Sequence, residues 1–171
     1  MIVAKTAQEH FGIHVDLDFS YYPRGQWDDQ DILINVWRID VKAMRQGAKW
    51  LLVEWNKLCF RQQYHNLSHA YVAVVTGWDR DRDRPTGDGW IKGVASLDKL
   101  SRKCGTTCVL RKDEFIPGTS TRLQADNYGI MFKDLSDFDE SFFLYDATPS
   151  KRSSRTIRKP VYRNSLKERG I

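Results

Sequence analysis

Asp40-Val41-Lys42-Ala43-Met44-Arg45-Gln46-Gly47-Ala48-Lys49-Trp50-Leu51-Leu52-Val53-Glu54-Trp55 is the stretch on which the fold turns. Asp40 suits a helix N-cap, because its side-chain oxygen can accept a free N–H of the first turn. Val41, Met44, Ala48, Leu51, Trp55, Leu58 and Gln62 follow at three- and four-residue steps, which predicts one long helix to about Tyr64. Gly47 opposes this. It can end a shorter helix and let a strand begin at Trp50-Leu51-Leu52-Val53.

Upstream, Thr6-Ala7-Gln8-Glu9 has the form of a capping box, which predicts a short helix from Thr6 to Gly12. Ile13, Val15, Leu17 and Phe19 then alternate with His14, Asp16 and Asp18, the period of a half-buried strand. Pro23-Arg24-Gly25 reads as a turn, and Asp31–Ile39 as a second strand.

Downstream, Ala70–Thr76 is an apolar run of strand length, expected at the centre of a sheet. Trp78–Gly89 reads as a polar loop, and Ser96–Lys103 as a short helix closed by Gly105. Cys108–Leu110, Tyr128–Phe132 and Phe142–Tyr145 read as further strands. The sum is an α+β fold: a largely antiparallel sheet, one long helix, one or two short helices, and a basic C-terminal tail. Residues 1–148 are expected to form one globular domain and residues 149–171 a flexible appendage.

Charge is the most informative global feature. Residues 149–171 carry eight cations (Lys151, Arg152, Arg155, Arg158, Lys159, Arg163, Lys167 and Arg169) against Glu168, a net +7. The other residues hold 19 basic and 21 acidic side chains, a net −2, so the overall +5 belongs to the tail. Apolar residues are sparse there, and such a segment cannot offset its ordering entropy by burial. Its cations would neutralise phosphates and release counterions, so nucleic acid or another polyanion is the expected partner. Tyr162 adds a surface on which a base can stack. Arg outnumbers Lys five to three there, which favours bidentate phosphate recognition.

Two constellations suggest chemistry. Strand alternation puts His14, Asp16 and Asp18 on one face, where two carboxylates and an imidazole could hold Mg²⁺ or Mn²⁺. With His69 or His65 as further ligand or general base, this would be a metal-dependent phosphodiesterase or nuclease. His65 and His69, spaced as on one helix face, together with Cys104 and Cys108 make a valid tetrahedral Zn²⁺ set, although Cys-x3-Cys is wider than the usual knuckle.

Other patterns fall short. Asp16-x-Asp18 is similar to the first motif of haloacid-dehalogenase phosphatases, but Phe19-Ser20 stands where Gly-Thr is expected. The run after His69 resembles the His-bearing strand of papain-like thiol enzymes, yet the sole upstream thiol is Cys59. Glycine-rich nucleotide signatures are absent.

Three cysteines, an odd number, and an N-terminus without an apolar leader point to a reducing compartment, cytoplasmic or nuclear. No run approaches the 18 apolar residues of a membrane span, so no membrane is expected. The functional expectation is a small accessory binding protein, of the kind phages and viruses encode, that contacts nucleic acid or a nucleoprotein assembly through its tail. The alternatives are the metal-dependent phosphodiesterase and an inhibitor that docks a host protein through exposed Trp residues.

Overall fold

The computed structural model describes residues 2–17, 31–35, 37–54, 68–101 and 107–144. The tail, residues 149–171, lies outside them. Helix α1 (Ile2–Phe11) opens the chain, followed by β1 (Val15–Leu17), β2 (Ile32–Ile34), β3 (Trp37–Arg45) and β4 (Trp50–Glu54). Then come β5 (Ala70–Asp79), β6 (Arg84–Ser96), α2 (Leu97–Ser101), β7 (Thr107–Leu110) and β8 (Asn127–Met131). A 3-10 turn (Phe132–Asp134) and α3 (Glu140–Leu144) complete the described chain.

The long helix is not formed over Asp40–Glu54; that span is strand, turn and strand, and residues 55–64 lie outside the described set. Two features decide it. Gly47 has φ +90°, a left-handed conformation that no helix interior holds. From Trp37 to Lys42, apolar and polar residues alternate, and Trp37 and Ile39 are buried on one side. The three-residue step from Val41 to Met44 mixes the two faces of this strand, and Ala48 lies beyond its end.

Asp31–Ile39 is likewise not one strand. Asn35 (φ 52°) turns the chain, and β2 pairs antiparallel with β3, Ile34 opposite Trp37. The first helix starts at Ile2 rather than Thr6, which is interior. Its end follows expectation: Gly12 is left-handed, and the N–H of Ile13 bonds the Ala7 carbonyl at 3.0 Å.

Two sheets result. The larger has the order β1-β2-β3-β5-β6, and the smaller β4-β8-β7. Among the described residues every strand pairing is antiparallel except β3 with β5, which run parallel from Ile39↔Ala70 to Arg45↔Thr76. The chain makes that crossover by way of β4 in the other sheet. β5 is interior, as its apolar run requires. Ala70, Val72 and Val74 belong to the core under α1, while Tyr71 and Ala73 belong to the core against the smaller sheet. The layers are therefore α1 with α3, the larger sheet, and the smaller sheet, with α2 packed in the core between the two sheets.

The expected loop Trp78–Gly89 is instead the far end of the β5–β6 hairpin, turning at residues 80–83. Ser96 caps α2, its hydroxyl accepting the Lys99 N–H at 3.1 Å. Phe142–Leu144, expected as strand, is helical in α3. Asp139 caps it, accepting from the Phe142 N–H (3.1 Å) and the Ser141 hydroxyl (2.6 Å). Phe142 packs on Trp37 and Phe138 on Phe11, so rings from α1, α3 and β3 meet in one core.

Candidate functional site

His14 and Asp16 lie at the outer edge of the larger sheet, where β1 is the terminal strand. The His14 Nε2 and an Asp16 carboxylate oxygen are 3.0 Å apart, and both side chains stand mostly in solvent, 79% and 62% exposed. The register runs Asp16↔Leu33↔Arg38, with His69 beside Arg38 on the next strand lane. Three strand spacings separate Asp16 from His69, about 14 Å, too far to share an ion. Asp18 lies outside the described residues. The phosphodiesterase constellation is thus not assembled by the residues in view.

His69 is held as a joint of the sheet. Its N–H donates to the Arg38 carbonyl at 2.8 Å, and its carbonyl accepts from Leu97 at 2.8 Å. Its imidazole reaches back to the same neighbour: Nδ1 accepts the Arg38 backbone N–H at 3.1 Å. An amide can only donate, so Nδ1 offers it a lone pair. The guanidinium Nη2 of Arg38 lies 3.2 Å from Nε2, and the ring meets Trp37 edge-on with centroids 6.1 Å apart. In this arrangement neither nitrogen is turned outward to a metal. His65 and Cys104 fall outside the described residues. Cys108 is on β7, with its side chain outside the description. Among the described residues, no three His, Cys, Asp or Glu side chains are grouped to hold a metal.

The polar stripe of β3 was not singled out from sequence. Arg38, Asp40 and Lys42 alternate with Trp37, Ile39 and Val41, and that period was the available signal. Lys42 Nζ donates to the Asp40 carboxylate at 2.7 Å, and the Val41 N–H donates to the Asp31 carboxylate. Asp40 pairs in register with Tyr71, which is buried. Burial first, and the Asp40 charge second, push the Tyr71 phenol far above its usual range. The phenol is therefore protonated at any physiological pH.

The remaining feature lies on the opposite edge. A groove of about 430 Å³ follows the outer side of β6, lined by Ile2 and Thr6 of α1, Gly89 to Gly93, Asp137 and Phe138. Trp90, 48% exposed, stands in it, and Lys92 follows two residues on. Phe115 is the other exposed large ring among the described residues, and the Arg122 guanidinium lies 4.8 Å from its centroid.

Among the described residues, no helix is long and apolar enough to cross a membrane. Comparison with known proteins finds no matching family model, no similar curated protein and no similar solved structure.

Proposed function

We propose that this chain is a small accessory protein that binds single-stranded nucleic acid, or an assembly built on it, through residues 149–171. One observation carries the reading: a net +7 gathered in those residues beside a remainder of net −2. Segregated cations that cannot build a core of their own are suited to a polyanion, with affinity drawn from counterion release. Trp90 with Lys92 on the described body adds an exposed ring beside a cation, the pairing on which bases stack. The cytoplasm or nucleus is the matching place for such a partner.

The test is fluorescence anisotropy with a labelled oligothymidylate of about 20 nucleotides at several salt concentrations. If half the tail cations reach phosphates of the single strand, log Kd should change with log salt with a slope of roughly 3. Replacing Arg155, Arg158, Lys159 and Arg163 by Gln should abolish binding and leave the unfolding transition unchanged. Undiminished affinity in that variant ends the proposal.

A further inference from the structure

We infer that the open edge of β6 is a docking site for this chain's own C-terminal segment, centred on Arg155–Arg163. β6 ends the larger sheet, and on its outer side the described backbone pairing is Val94 with Ser136, at 2.9 and 3.0 Å. From Asp88 to Lys92 that side has no strand partner among the described residues. Pro85 blunts the strand before this point. What remains open runs beside the groove between α1 and Asp137-Phe138. An unpaired edge flanked by a helix is where an extended segment can add as one more strand, held by main-chain hydrogen bonds and by side chains entering the groove.

Charge and reach select the occupant. Asp137 lines the groove, and Asp134, Asp139 and Glu140 adjoin it in sequence. Arg155-Thr156-Ile157-Arg158-Lys159-Pro160-Val161-Tyr162-Arg163 brings four cations to those four acids. Ile157 and Val161 are apolar and fall on one side of an extended chain, matching a wall of Ile2 and Phe138. One Pro is compatible with an added edge strand. α3 ends at Leu144, six residues after Phe138, and the eleven residues from there to Arg155 span roughly 36–40 Å when extended. The tail's eight cations outnumber the four acids, so a polyanion can still engage it and displace it. The contact itself does not depend on the tail having a nucleic-acid partner.

Hydrogen exchange followed by mass spectrometry on the full chain tests this. At low salt, amides of Asp88–Lys92 should exchange about tenfold more slowly than in the Arg155→Gln/Arg158→Gln/Lys159→Gln/Arg163→Gln chain. The Asp137→Asn/Glu140→Gln chain should lose the same protection, and about 1 M salt should remove it from the unmodified chain. Unchanged exchange in β5 shows that the fold is intact in each variant. Equal edge exchange in all three chains overturns the inference. So does protection that rises with protein concentration alongside a doubled mass, which assigns the edge to a second copy. Protection without oligothymidylate binding removes the proposed function alone; binding without protection removes this inference alone.

Discussion

The imidazole of His69 accepts the backbone N–H of Arg38, so a side chain occupies the place in the β3–β5 ladder that the backbone leaves before Ala70. Removing it strands a half-buried amide donor. His69→Ala should cost about 1–3 kcal/mol, the usual penalty for an unsatisfied buried group. Urea unfolding of the two chains measures it. A difference near zero would mean that water serves the Arg38 amide equally well.

Gly93 sits at φ +140°, and a Cβ there would come within 2.7 Å of both the Leu135 Cβ and the Ser136 carbonyl oxygen. That crowding lies where Ser136 is zipped to Val94. Gly93→Ala should lower stability by at least about 1–3 kcal/mol through overpacking, with backbone strain added. Gly118→Ala, at a left-handed site open on all sides, is the control and should lose less. Thermal unfolding distinguishes the two.

Asp139 should make stability depend on acid. The Ser141 hydroxyl and then the Phe142 N–H hold its carboxyl below the ordinary Asp value. A lowered folded pKa contributes stability that is present above the unfolded value of about 3.9 and is lost as pH falls through the folded one. Asp139→Asn keeps a capping oxygen but does not titrate. Its disadvantage in melting temperature at pH 7 should shrink as pH falls below about 4. A gap that stays constant with pH would assign it to something other than this charge.

Tyr71 should act at the alkaline end. Its phenol pKa is raised in the fold by burial and by Asp40, while in the unfolded chain the phenol ionises near 10.0. Stability is unaffected below that value and falls above it, because only the unfolded state releases the proton freely. Tyr71→Phe should blunt the loss of melting temperature between pH 10 and 11, relative to the parent chain. Ultraviolet titration of the folded protein should likewise show one phenol resisting ionisation.

Some elements were legible because neighbouring residues alone define them. Ser96 read as the start of α2 since a cap acts within one turn. Ala70–Thr76 read as a central strand since burial on both faces demands an unbroken apolar run. α3 was misread because Phe142-Phe143-Leu144 is as apolar as a strand, and the signal that decided against it was one carboxylate at Asp139. His14 and Asp16 stand side by side at the sheet edge, with Asp18 outside the described residues, and nothing in their spacing shows that His69 lies three strands away.

Charge distribution, the helix ending at Gly12 and the apolar centre of β5 are written in the chain itself, because each depends on composition or on contacts within a few residues. The parallel pairing of β3 with β5, the role of His69 as a joint, and the open edge of β6 were decided by tertiary structure. These depend on which strands become neighbours. Segments such as Asp40–Glu54, whose local pattern fits two periods, take the one that buries Trp37, Ile39, Leu51 and Val53 against partners far away in sequence.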